Sequence, residues 1–173
     1  MSDAGTRLLA LLGDPVAHSR SPALHGCLIK RLNQNLRYLA FRVAPDELAA
    51  AVAGLRALGA AGFNLTVPHK RAVVPLLDAL TPEARALGAV NTVTLEGGRL
   101  VGHNTDWLGF LAPLGGMDFS GAPAVVLGAG GAAPAALYGL GMLGVGDVTL
   151  ANRRKGAAEA LAARGGTVGL GAA

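Results

Sequence analysis

Short apolar runs alternate with stretches of helical spacing along most of the chain. The runs at 8–13, 37–43, 62–67, 124–128 and 148–151 predict buried strands. Helix starts fall between them. Ser21-Pro22 sets proline where a first helical turn tolerates it, and Pro45-Asp46-Glu47 and Thr81-Pro82-Glu83 add acids at a positive helix end. Alternation of this kind predicts βαβ units and an α/β fold with mostly parallel sheets. The exception is Val93-Thr94-Leu95 with Leu100-Val101, whose connection Glu96-Gly97-Gly98-Arg99 predicts an antiparallel hairpin.

A helix predicted over 106–114 marks a boundary, giving a domain over 1–104 and a second over 105–173. The second holds strand, helix, strand, helix and one further candidate strand at 166–170. Complete dinucleotide folds carry two mononucleotide halves, so this pattern predicts an incomplete Rossmann-type domain.

Composition narrows the classes. The 173 residues are 51% hydrophobic and only 15% charged, which excludes a disordered polyelectrolyte. The 26 glycines and 9 prolines show no collagen period. One cysteine, Cys27, excludes an intrachain disulfide and predicts a reducing, cytoplasmic location. Aromatic residues at 4% disfavour base-stacking surfaces, and the net charge of +4 is scattered apart from Arg153-Arg154-Lys155. A small anionic ligand fits that balance better than nucleic acid. Mean hydropathy is high at +0.44. The N-terminal apolar run nevertheless stops at Gly13-Asp14-Pro15, and the uncharged stretch between Asp118 and Asp147 is broken by Pro123, Pro134 and a glycine cluster. Buried strand and strand–turn–helix readings therefore replace a signal peptide and a membrane span. Monomer and homodimer both stay open.

The glycine cluster carries chemistry. Gly128-Ala129-Gly130-Gly131-Ala132-Ala133 fits G-x-G-x-x-A directly after a strand. The first glycine permits a tight turn, the second lets a pyrophosphate approach backbone N–H groups, and the small last residue allows close packing. Such a turn made only for packing would read the same. About twenty residues on, where an NAD enzyme presents an acid to the ribose, the chain instead has Asn152-Arg153-Arg154. Cations there suit a 2′-phosphate, which selects NADP. A basic cluster at a positive helix end is otherwise unfavourable unless an anion sits there.

Other polar residues fall where buried strands leave the sheet, the side on which open α/β folds bind ligands. They are Ser19 and Ser21; Asn64, Thr66 and Lys70; Asn91; and Asn104 with Asp106. Each has a structural reading as well, as a cap, a turn residue or a solvated charge.

Together the motifs resemble the shikimate dehydrogenases. The resemblance is carried by the run from Leu12-Gly13-Asp14-Pro15 through Ser19-Arg20-Ser21-Pro22 to His25, and by Asn64-Leu65-Thr66-Val67-Pro68-His69-Lys70. Gly88-Ala89-Val90-Asn91-Thr92, Asn104-Thr105-Asp106-Trp107-Leu108-Gly109, the glycine turn and Asn152-Arg153 follow in order. It implies NADP-linked interconversion of 3-dehydroshikimate and shikimate, in chorismate and aromatic amino-acid biosynthesis. It implies Lys70 and Asp106 as the catalytic pair. Ser19, Ser21, Asn64, Thr66, Asn91 and Asp106 would bind substrate, and Gly128, Ala129, Gly130, Gly131, Ala132, Asn152, Arg153 and Arg154 would bind cofactor. No metal is implied; the four histidines show no ligand spacing. A related enzyme acting on quinate, and a non-catalytic shikimate-binding module, are the alternatives.

The chain departs from the family at Gly26, where Asn is common, at Pro134, where a basic residue is usual, and at Arg154, which replaces a hydroxyl residue. Family members also continue well beyond residue 173, which implies a truncated second domain with an uncovered sheet edge.

Overall fold

The computed structural model describes residues 3–153, 155–163 and 170–172. Its contacts divide the chain into two units, Met1–Asn104 and Thr105–Ala173.

The first unit runs β1 (Arg7–Gly13), α1 (Ser21–Arg31), β2 (Leu36–Arg42), a 3-10 turn Pro45–Glu47 leading into α2 (Leu48–Ala57), β3 (Gly62–Leu65) and α3 (His69–Ala72). A second 3-10 turn, Val74–Leu76, precedes β4 (Ala79–Leu80), α4 (Pro82–Leu87), β5 (Thr92–Glu96) and β6 (Arg99–His103). The sheet order is β2-β1-β3-β5-β6-β4. Pairs β1–β2, β1–β3 and β4–β6 are parallel, whereas β3–β5 and β5–β6 are antiparallel.

β1 is covered on both faces, because Ala10, Leu11 and Leu12 are all buried in succession. On one face Ala10, Leu12, Phe63 and Leu65 pack with Leu48, Val52 and Leu55, which recur at helical spacing along α2. On the other, Leu11, Val16 and Tyr38 pack with Leu9, Ala40 and Ile29 of α1. There the His25 and Tyr38 rings stack with centroids 4.1 Å apart and planes 2° from parallel. The hairpin forms around Gly97 and Gly98, whose φ values of 56° and 79° suit the two-residue turns that match strand twist. α4 has a matched pair of caps: Thr81 Oγ1 accepts from the Ala84 N–H, and Gly88 ends the helix at φ 59°.

Several elements differ from their predicted extents. The strand expected over 62–67 ends at Leu65, because the His69 N–H donates to the Thr66 carbonyl at 2.8 Å and turns the chain. The helix expected at Pro45 begins as one 3-10 turn, and the helix expected over 106–114 is α5 (Asp106–Leu111) followed by a 3-10 turn, Ala112–Leu114. β4 has no periodic signature in two residues.

The second unit continues from α5 through β7 (Ala124–Leu127), α6 (Ala133–Met142), β8 (Val148–Ala151), α7 (Lys155–Ala162) and β9 (Leu170–Ala172). Its strands form a parallel sheet in the order β7-β8-β9, the arrangement of one mononucleotide-binding half. Of the strand expected at 166–170, residues 166–169 lie outside the described residues. Leu137, Leu140, Val145 and Val148 form the core with Phe110, Phe119 and Val126 around them. Gly139 is required here, since a Cβ at that position would lie 2.8 Å from the Phe110 ring. Val125 and Leu127 of β7 are exposed at 65% and 84%, an uncovered apolar strip on that strand. Among the described residues no helix is long and apolar enough to cross a membrane.

Two outcomes follow from the packing of the first unit. A Cβ at Gly62 would lie 2.5 Å from the Val93 carbonyl oxygen, which is backbone and cannot swing away. Gly62→Ala is expected to destabilise the chain by about 1–3 kcal/mol in denaturant unfolding. Partial burial of His25 lowers its pKa from the ordinary 6.5. The unfolded chain therefore takes up a proton as pH falls through 6.5 while the folded chain resists it, so this contribution is complete above 6.5 and lost below. Thermal melts from about pH 7 to about pH 5.5 should show a falling midpoint. His25→Phe, which retains a ring on Tyr38, should flatten that slope.

Candidate active site

β3 is apolar except for Asn64. Strand alternation and the pairings Leu9↔Tyr38 and Leu11↔Asn64 set Asn64 on the same face of the sheet as Tyr38, two strands away. An amide in such a place needs partners, and it has them. Its Nδ2 donates to the Asn91 carbonyl at 3.1 Å and to Thr92 Oγ1 at 3.0 Å. Its Oδ1 accepts from the Tyr38 hydroxyl at 2.8 Å. The Thr92 hydroxyl in turn donates to Asn91 Oδ1 at 3.0 Å. Tyr38 is 6% exposed, and burial pushes its phenol above the usual range, partly offset by the nearby Ser21 side chain. The ring thus keeps its proton at neutral pH.

Turns that flank this network carry the remaining first-unit candidates. Ser19 Oγ accepts the Ser21 N–H at 3.2 Å, and the Ser19 N–H donates to the Val16 carbonyl at 3.0 Å. These bonds shape the connection from β1 into α1. Thr66 is tied to β1 through its N–H, which donates to the Leu12 carbonyl at 3.0 Å. Its methyl group rests against Gly13, where any Cβ would collide with it. The Lys70 carbonyl accepts the Val90 N–H at 2.7 Å, holding the start of α3 beside the segment that presents Asn91. His69 is fully buried, and its Nε2–H donates to the Val43 carbonyl at 2.8 Å. That bond pins the Thr66–Lys70 turn to the end of β2.

The structure therefore joins Asn64 and Asn91 in one network with Tyr38 and Thr92, and holds Ser19, Ser21, Thr66 and Lys70 in adjacent turns and helix starts of the first unit. Asp106 is half-buried at the first position of α5, in the second unit. Tyr38 is the member that sequence reading missed, and Thr92 stands in the Gly88–Thr92 motif without an assigned role. The signal was indirect: a lone amide in an apolar strand demands donors and acceptors from neighbouring strands. Among the described residues no group of three or more His, Cys, Asp or Glu side chains could hold a metal ion.

In the second unit the chain turns from β7 into α6 at Gly128, whose φ is 107°. Cβ atoms at Gly130 or Gly131 would meet nothing within 4 Å, so a ligand can approach the backbone there closely. Ala129 is half-buried, and Ala132 is the exposed N-cap of α6. Pro134 sits in the first turn of α6, where its missing N–H costs no helical bond. Asn152 and the exposed Arg153 follow β8; Arg154 lies outside the described residues. An open glycine turn before a helix, with Arg153 and no carboxylate after the neighbouring strand, fits a dinucleotide carrying a 2′-phosphate.

Residues 11–93 match the family model described as the shikimate dehydrogenase substrate binding domain. The NADP(+) shikimate dehydrogenase of Symbiobacterium thermophilum is 52% identical over 159 residues, covering 91% of this chain and 54% of that protein. The crystal structure of shikimate dehydrogenase from Aquifex aeolicus superposes with a TM-score of 0.93 at 42% identity, covering 100% of this chain and 64% of the other. The Thermus thermophilus enzyme, solved with NADP(H) and shikimate, gives 0.85 at 40% identity, covering 96% of this chain and 62% of the other. The chain spans about half the length of the curated relatives it matches. The substrate-domain match and these relatives agree along the chain, which is similar to the shikimate dehydrogenases in both of its units.

Proposed function

We propose that this chain provides the substrate-binding domain and part of the NADP-binding domain of a cytoplasmic shikimate dehydrogenase, which interconverts 3-dehydroshikimate and shikimate. The observation that carries this reading is the Tyr38–Asn64–Thr92–Asn91 network inside the region matched as a shikimate dehydrogenase substrate binding domain. A hydroxylated ring acid needs donors for its carboxylate and both donors and acceptors for its hydroxyls, and this group of side chains supplies them. The exposed free thiol of Cys27 agrees with a reducing compartment.

Each residue has a chemical task in this reading. Ser19 and Ser21 donate to the substrate carboxylate, and Asn64, Thr66 and Asn91 hold the ring hydroxyls. Gly128 to Ala132, Asn152, Arg153 and Arg154 hold NADP, with backbone N–H groups on the pyrophosphate and cations on the 2′-phosphate. When bound, the nicotinamide supplies or accepts the hydride. In the reducing direction Lys70 stabilises negative charge growing on the carbonyl oxygen and donates a proton to it. Asp106, the second member of the catalytic pair, orients the reacting hydroxyl. The alternative reading is a module that binds shikimate without turning it over.

Calorimetry with shikimate, together with NADPH formation from shikimate and NADP, separates these readings. Binding with turnover that Lys70→Ala reduces by about a hundredfold or more supports the enzyme. Binding without turnover supports the module, and absence of shikimate binding removes both. A marked preference for quinate would reassign the substrate. Arg153→Ala should weaken NADP by about tenfold and leave NAD nearly unchanged, because only the former offers a phosphate to a charge-assisted bond. Equal losses for both cofactors would contradict the assignment of Arg153.

A further inference from the structure

We infer that Tyr38 is a positioning residue for the substrate, its phenol donating to Asn64 and leaving Asn64 only an acceptor to offer a ligand. This rests on the reading of the pocket as a site for a hydroxylated ring acid. A primary amide has two N–H donors and one oxygen with two lone pairs. Both donors of Asn64 are committed, one to the Asn91 carbonyl and one to Thr92 Oγ1. The first of these fixes the orientation of the amide, since a carbonyl cannot donate. The Tyr38 hydroxyl occupies one lone pair of Oδ1. What Asn64 retains is a single lone pair, suited to a ligand hydroxyl and repelling a carboxylate or carbonyl oxygen.

With its proton given to Asn64, the Tyr38 oxygen can only accept from any further partner. The phenol thereby holds the amide in one sense, with an acceptor left for the hydroxyls of a ligand. The ring is held for this task by burial to 6% exposure and by the stacked His25. A phenylalanine would retain the packing and lose the directionality.

Titrations of wild type, Tyr38→Phe, Asn64→Ala and the double variant with shikimate test the inference. Cyclohexene-1-carboxylate, which keeps the acid and lacks the ring hydroxyls, serves as the comparison ligand and is followed by ligand-observed NMR. Tyr38→Phe should weaken shikimate by about tenfold and leave cyclohexene-1-carboxylate within about twofold. In the Asn64→Ala background the same substitution should change shikimate affinity by less than about twofold, because its effect passes through Asn64. Additive losses, or equal losses for the two ligands, would show that Tyr38 serves only packing. If Asn64→Ala does not fold, the two-ligand comparison in Tyr38→Phe decides alone. A wild-type chain that binds no shikimate overturns the reading of the site and this inference with it; binding with additive losses overturns only the role of Tyr38.

Discussion

The side-chain amide of Asn64 lies within an apolar sheet, and the cost of leaving it unpaired is about 1–3 kcal/mol for each unsatisfied group. That penalty explains why strands distant in sequence must present particular atoms to it. The start of β5 and the residue before it must bring the Thr92 hydroxyl and the Asn91 carbonyl to one side, and β2 must bring Tyr38 from beyond β1. Because the amide is asymmetric, its partners must arrive with the right sense as well as the right distance. A carbonyl at one end fixes the direction of every hydrogen bond that follows.

The sheet separates this polar demand from the bulk of its hydrophobic stabilisation. One face of β1 packs into the large cluster that includes α2, Phe63, Leu65, Val93 and Leu100. The opposite face holds the much smaller group of Leu11, Val16 and Tyr38 with their neighbours. Strand alternation makes this division possible with a single stretch of chain serving both faces. Asn64 illustrates it at one position, since Phe63 and Leu65 on either side of it belong to the large core.

Much of this was legible in the sequence, and for identifiable reasons. β1, β7 and β8 are continuous apolar runs, and the Gly97-Gly98 pair announces its turn. Asn64 and Asn91 stand out as amides beside apolar segments, so both were candidates from the sequence alone. Tyr38 was not, because a tyrosine in an apolar strand reads as core, and only the sheet order shows that it reaches Asn64 across β1. Thr92 was visible in its motif, but its bond to the amide was hidden by its normal place in a strand. His69 stands in the Asn64–Lys70 motif without a role of its own, and its fully buried bond to Val43 depends on a contact 26 residues distant. The Ser19, Thr66, Lys70 and Asp106 assignments rest on family resemblance and chemistry, which local periodicity does not encode.

The hairpin gives the site an unexpected dependence. Thr92 begins β5 and the Gly97-Gly98 turn closes it at the other end, roughly 14 Å away at the usual rise per strand residue. Nothing in that turn touches Asn64. Yet the turn sets which residue of β5 faces which residue of β6, from Thr92↔His103 through Glu96↔Arg99. A slip of one position would exchange the faces of Thr92 and Val93, withdrawing a hydroxyl from the amide and a valine from the core together. Two glycines on the far rim thus act as the gauge that sets the chemistry of the pocket, and evolution at that rim is less free than its solvent exposure suggests.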